Sequence, residues 1–261
     1  MKRLLTYLPF AILLTVAIAA IVYLQRQQKE LVCNEISINI NSDNDGNQLL
    51  VNEDVEQMLM HNGDTARKKI QNFDLYHIEQ RIGENPFVYT AQGYFDMHNT
   101  LHIDVTQRVP FVRIIGQNDD YYIDTAGQLL PLSPHFAPRV LVASGEIMQG
   151  FRKNYNLLVQ EQNDSVAAKP SILYDIFRLS QAIASDSLLQ MSIEQMYVLP
   201  SNELLLISKI GPPKIEFGTI ENYQQKLQNV KAFYQSKKSQ ENWDKYKSIN
   251  VKYSNQVVAI K

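Results

Sequence analysis

The sequence predicts an α+β protein with one N-terminal transmembrane helix, a β-α-α-β-β module and a C-terminal mixed β domain with flanking helices. Three observations carry that reading. An uncharged run opens the chain, from Leu4 to Leu24. Apolar residues then alternate with polar ones in several short segments, as at Ile36, Ile38 and Ile40 or Leu101, Ile103 and Val105, which is the period of half-buried strands. Between those two segments lie stripes at helical spacing, Val55, Met58 and Leu59, then Leu75, Ile78 and Ile82.

The opening run has 21 residues and is interrupted only by Thr6, Pro9 and Thr15. As a helix it spans about 30 Å, the thickness of a bilayer's hydrocarbon core. Pro9 falls in the first turns, where a missing N–H costs least, and Tyr7 and Tyr23 stand near the two ends, as interfacial aromatics do. The rival reading is a cleaved signal peptide, with Lys2 and Arg3 ahead of the small-residue run at Ala17, Ala19 and Ala20. Against it, Ile21, Val22 and Leu24 carry the apolar stretch beyond that site, which is too long for a signal peptide. An uncleaved anchor over residues 4–24 is therefore expected. Lys2 and Arg3 face Arg26 and Lys29 across the run, with Glu30 offsetting the latter, so flanking charge favours a cytoplasmic tail at residues 1–3 only slightly.

Composition narrows the function classes. Lys and Arg total 25 against 27 Asp and Glu, so no basic excess is available to draw in phosphate backbones, and no nucleic-acid partner is expected. Aromatic residues make up 10% of the chain, which argues for a folded body. The single cysteine, Cys33, excludes an internal disulfide and a thiolate metal cluster.

After the polar exit at residues 25–31, the first strand is expected around Ile36–Ile40, followed by a loop from Asn41 to Gly46. Asn52 reads as the cap of one helix and Asp74 as the cap of a second, which ends at Gly83 with Pro86 just beyond. Strands follow over Val88–Phe95 and Leu101–Gln107. Beyond Pro110 the expected strands are Val112–Ile115, Tyr121–Ile123, Gln128–Leu130, Gln195–Leu199, Glu203–Ile207 and Lys214–Phe217, with Asp124 to Gly127 as a tight turn. Helices are expected over 171–185 and 220–235. Ile249, Val251 and Tyr253 alternate as a late strand, and Val257 to Ile260 closes the chain.

No constellation points to chemistry. His98 and His102 are four apart but bracket a hairpin bend, with no third metal ligand in view. Asn41, Asp43, Asp45 and Gly46 begin like a calcium loop, yet the twelfth position is Asn52 rather than Glu. No Gly-x-Ser-x-Gly elbow is present; Ala143 to Glu146 lacks the leading glycine and is expected in a loop. No two carboxylates are singled out for glycan cleavage. Tyr122 and Asp124 read as turn and packing residues. Phosphate-binding and dinucleotide glycine motifs are missing too. No catalytic residue, metal site, cofactor or small-molecule substrate is expected.

Four motifs in register carry a resemblance to a known family. Asp74-Leu-Tyr-His-Ile-Glu79, with Asn85-Pro-Phe-Val88 and Ala91, is similar to a helix running into an Asn-Pro-aromatic-Val turn. Leu101 to Val105, with Arg108 and Pro110, is similar to the strand after it. Tyr122-Ile-Asp124, Gly127 and Leu130-Pro131 resemble the hairpin that opens a second domain. Ile249 to Val257 resembles a "D-L-R-Y-x-N-Q-V" terminal strand, with Asn250 in place of Asp and Lys252 in place of Arg. Together they resemble the bacterial cell-division family FtsQ/DivIB.

That resemblance implies a POTRA domain over 32–109 and an FtsQ-type β domain over 110–261. It implies a non-enzymatic scaffold of the divisome, single-pass in the inner membrane, with its bulk in the periplasm at the division septum. It also implies FtsB-like and FtsL-like partners, other divisome components, and a link to septal peptidoglycan synthesis. Carried over residue by residue, the partner-binding strand comprises Ile249, Val251, Lys252, Tyr253, Asn255 and Val257. Lys252 departs from the family's Arg and lacks its bidentate geometry. Two rivals stand beside this reading: a membrane-anchored enzyme acting on cell-wall glycan or peptide, and an anchored assembly factor using its POTRA module as a chaperone.

Overall fold

A computed structural model describes residues 13–21, 23, 31–41, 48–61, 63–159, 171–236, 243–253 and 256–261. The chain divides into two compact units, Met1–Gln107 and Arg108–Lys261.

The expectation of an N-terminal transmembrane helix is corrected. Among the described residues no helix is long and apolar enough to cross a membrane. Residues 13–21 are helical, and nine residues rise only about 14 Å against a hydrocarbon core of about 30 Å. The rest of the 4–24 run, apart from helical Tyr23, lies outside the described residues, as does the tail at 1–3.

In the first unit, β1 (Glu35–Asn41) runs parallel to β3 (Thr100–Gln107), and β2 (Val88–Phe95) pairs antiparallel on its other side. Helices α1 (Asn52–Met60) and α2 (Leu75–Gly83) pack on this sheet. Their stripes, Val55 and Leu59 with Ile78 and Ile82, share one core with Leu101, Ile103 and Val105 of β3. The order strand, helix, helix, strand, strand is the one the periodicities give. Asp74 caps α2 by accepting from the His77 N–H at 3.1 Å. Glu79 on the same helix accepts from the Gly93 N–H of β2 at 2.8 Å, tying helix to sheet.

The β2–β3 bend explains the histidine pair. Asp96 accepts from the N–H groups of His98 and Thr100, both at 2.8 Å. Both imidazoles lie beside the same carboxylate, and His102 stacks on Tyr94 with ring centroids 5.2 Å apart. No group of three or more potential metal ligands occurs among the described residues. In the calcium-like loop, Asp43, Asp45 and Gly46 lie outside the described residues.

The second unit is built on a nine-stranded mixed sheet. Its strands are β4 (Pro110–Ile115), β5 (Asp120–Asp124), β6 (Leu129–Leu130), β7 (Leu141–Gly145), β8 (Ile193–Val198), β9 (Leu204–Ser208), β10 (Lys214–Gly218), β11 (Ser248–Asn250) and β12 (Val258–Ile260). Their order across the sheet is β12-β11-β10-β9-β8-β7-β4-β5-β6. Three parallel pairs, β4 with β7, β7 with β8 and β10 with β11, require crossovers. Helices α3 (Ile172–Ala184) and α4 (Ser187–Ser192) lie in the connection from β7 to β8, and α5 (Tyr223–Gln235) in that from β10 to β11. Their apolar faces join the sheet's core through Ile176, Phe177, Leu189, Leu227 and Val230.

Several elements depart from the sequence reading; in the first unit Asn52 is the first residue of α1, with Val51 at the cap position. The segment around Ala143 is not a loop but strand β7, flanked on both sides by strands, where small residues pack without a two-residue alternation. A further short helix, α4, follows α3 directly. Asp186 caps it, accepting from the Leu188 and Leu189 N–H groups at 3.0 and 3.3 Å. By contrast, Asp124 does the turn work expected of it. Its Oδ1 accepts from Ala126 and Gln128 at 2.9 and 2.7 Å, and its Oδ2 accepts from Arg108 at 2.9 Å.

Gly145 closes β7 at φ +104°, and a Cβ there would lie 2.2 Å from the Val198 carbonyl oxygen of β8. Gly145→Ala is expected to cost about 3 kcal/mol or more, as backbone strain and steric overlap combine; urea denaturation checks it. The hydrogen bonds at Asp96, that from Thr100 foremost, hold its carboxyl down to about 2. Because the folded value is depressed, its stabilising contribution is complete above the unfolded value near 3.8 and is lost as pH falls from there through about 2. A carboxyl-carbon NMR titration should place the Asp96 midpoint near 2, and a midpoint near 4 would contradict this.

Candidate partner-docking edge

The terminal segment begins with burial. Ile249 and Val251 are completely buried in the β-domain core, so both residues fix β11 in place instead of facing solvent. β11 has neighbours on both sides: β10 in parallel, with Ile215 opposite Ile249, and β12 in antiparallel, with Ala259 opposite Ile249. The Val251 N–H continues the parallel ladder by donating to the Glu216 carbonyl at 3.1 Å.

The strand then stops at Asn250, short of Tyr253, and a local hydrogen bond provides the reason. Asn250 Oδ1 accepts from the Lys252 N–H at 3.0 Å, an Asx-type turn that bends the chain out of the sheet. The same side chain donates through Nδ2 to Glu216 Oε2 at 2.8 Å. An Asp here would still accept from Lys252 but would set a second carboxylate against Glu216. The departure from the resembled Asp is thus matched to its neighbour.

Lys252 is also occupied within the domain. Its Nζ donates to Glu203 Oε2 at 2.7 Å, and that pairing, the largest influence, raises its pKa. A Cβ on Gly218, at φ +77°, would come within 3.1 Å of the Lys252 Cγ, so the glycine leaves room for the stem. Below lies Lys226, buried, donating to the Thr219 carbonyl at 2.8 Å and sitting 5.2 Å over the Phe217 ring. Burial pushes its ammonium down, while the Glu221 and Glu203 carboxylates push it back up. Lys252 therefore acts as a point-charge strap from the terminal segment to the β8–β9 turn.

The remaining expected residues are distributed differently. Tyr253 is 56% exposed. Val257 is half-buried and packs against the core. Asn255 lies outside the described residues. The sequence reading did not assign a docking role to β12, which ends the sheet and whose outer edge has no strand neighbour among the described residues. Val258 and Ile260 on that strand are exposed, as is Tyr253. An end strand presents unpaired main-chain donors and acceptors to any extended chain laid beside it, and the exposed apolar side chains set what it accepts. The signal for β12 was its position at the end of a fold whose strand order is not written in local periodicity.

Asn250→Asp is expected to lower stability by about 1–2 kcal/mol at neutral pH through loss of a donor and carboxylate repulsion. The loss should shrink as the pH is lowered into the carboxylate range, which thermal melts at several pH values check. For Lys252→Ala the expected cost is smaller, about 0.5 kcal/mol, because the pair is partly solvated.

Residues 109–260 match the family model described as FtsQ/DivIB, C-terminal related, and residues 31–106 match one described as a POTRA-like domain. Comparison with curated proteins gives no significant match.

Proposed function

Because the chain belongs to the FtsQ/DivIB family of cell-division proteins, we propose that it is a non-enzymatic divisome scaffold that captures FtsB-like and FtsL-like partners along β12. It works at the division septum and links those partners to septal peptidoglycan synthesis. The supporting observation is the end strand of the nine-stranded sheet, with its outer main-chain edge open among the described residues and Tyr253, Val258 and Ile260 exposed.

On this reading an extended partner segment adds a further strand to the sheet, main-chain bonds giving affinity and alternate side chains specificity. Tyr253 serves as the aromatic anchor beside the edge. Ile249 and Val251 act indirectly, by holding β11 so that β12 has a rigid strand to rest on. Lys252 and Glu203 hold the bend from which Tyr253 projects.

Proline scanning tests the edge. Val251→Pro is not a clean variant, since its N–H is already used by Glu216. Of Val258→Pro and Ala259→Pro, one removes an N–H facing β11 and the other an N–H facing outward. The outward variant should keep the melting temperature and lose capture of an FtsB-like partner in a pull-down. Tyr253→Ala should weaken that capture by about 1–2 kcal/mol while the fold survives. Unchanged capture by all three variants contradicts the proposal. Release of soluble fragments from purified peptidoglycan by the chain would support the enzyme reading instead.

A further inference from the structure

The helix layer of the second unit holds a cation that the docking edge does not use. Tyr174 and Arg178 stand four residues apart on α3, so they share one face of that helix. Tyr223, the first residue of α5, brings its ring to the same guanidinium from the neighbouring helix. Arg178 Cζ lies 5.6 Å from the Tyr174 ring centroid and 5.7 Å from that of Tyr223. Both distances are within cation–π range, and Arg178 itself is exposed.

This guanidinium has no acid to pair with among the described residues. Its charge is influenced by the Tyr174 side chain first, by burial in the opposite sense, and by Tyr223. Asp175 on the same helix and Glu221 ahead of α5 are not among the groups that act on it, and Glu221 acts on Lys226 instead. The other two cations of α3 and α5 are already used. Lys231 donates to Asp186 at 2.5 Å, and buried Lys226 donates to the Thr219 carbonyl at 2.8 Å.

The two rings make the exposed cation a better binder than an ordinary surface arginine. A surface ion pair is worth little because two mobile side chains must be ordered to form it. Rings on α3 and α5 restrict the guanidinium beforehand, so less freedom is lost when its N–H fork takes an acceptor.

Charge decides what that acceptor is. Phosphate-rich chains and anionic membrane surfaces are held by clusters of Lys and Arg. Here one cation stands alone, and a guanidinium fork matches a single carboxylate through two parallel hydrogen bonds. Gln181, one turn along α3, and Gln224, next to Tyr223, are exposed and neutral. A protein surface can therefore surround the pair without a conflict of charge.

We propose that Arg178, braced by Tyr174 and Tyr223, is a docking point for an Asp or Glu side chain of a protein partner laid over α3 and α5. The site belongs to the helix layer and stands whether or not β12 captures a strand.

Three blocked pentapeptides of sequence acetyl-Gly-Tyr-X-Leu-Gly-amide, with X as Glu, Gln or phosphoserine, test it against the full chain labelled with nitrogen-15. The Glu peptide should shift the Arg178 Nε–H resonance together with the Tyr223 amide. The Gln peptide should bind about tenfold more weakly, and the phosphoserine peptide no more tightly than Glu. Arg178→Lys keeps the charge without the fork and should bring the Glu peptide down to the level of Gln. Tyr223→Leu removes one brace and should weaken the Glu peptide several-fold. Should that variant fail to fold, Arg178→Lys and the ranking of the peptides on the native chain still decide. Equal binding of the Glu and Gln peptides, no shift at Arg178 up to about 10 mM peptide, or tighter binding of phosphoserine would overturn the proposal. So would an Arg178 shift on vesicles of anionic lipid with all three peptides silent.

Discussion

The parallel pairing of β11 on β10 is the constraint on which the C-terminal end of the sheet depends. Ile249 and Val251 are completely buried, which forces the last part of the chain back into the core after α5. Once β11 is fixed, β12 can only be added outside it, and the sheet ends there. A three-residue strand has little stability alone. Its order comes from the strand beside it.

Polar contacts around this pairing set where the chain leaves the sheet. Asn250 divides its amide between the Lys252 N–H and Glu216, and Lys252 reaches Glu203. These bonds are individually modest. Collectively they place the bend just before Tyr253, whose aromatic ring stays exposed. The two departures from the resembled motif, Asn250 and Lys252, are both used here.

Much of the fold was legible because its periods are local. The β-α-α-β-β order followed from the alternation at Ile36–Ile40 and Leu101–Val105 and from the stripes at Val55 and Ile78. Asp74 and Asp124 announced a cap and a turn through side chains that bond their own backbone. Strand β7 was hidden because a strand flanked on both sides needs no alternation, and its small residues read as a loop. The docking residues were legible only in part. The alternation of Ile249, Val251 and Tyr253 suggested one strand, whereas the Asn250 turn ends it and gives the three residues different roles. Strand order is a non-local property, so nothing in the spacing identified β12 as the edge. The long apolar opening run resembled a membrane span in composition, but no described helix has the length to cross one.

The most direct test of the account is amide hydrogen exchange across β11 and β12, with and without an FtsB-like partner fragment. Strand addition predicts new protection at the outward-facing amides of Val258–Ile260, with Ile249 and Val251 already protected in the free chain. Protection appearing at β6, the opposite end of the sheet, with β12 unchanged, would contradict it.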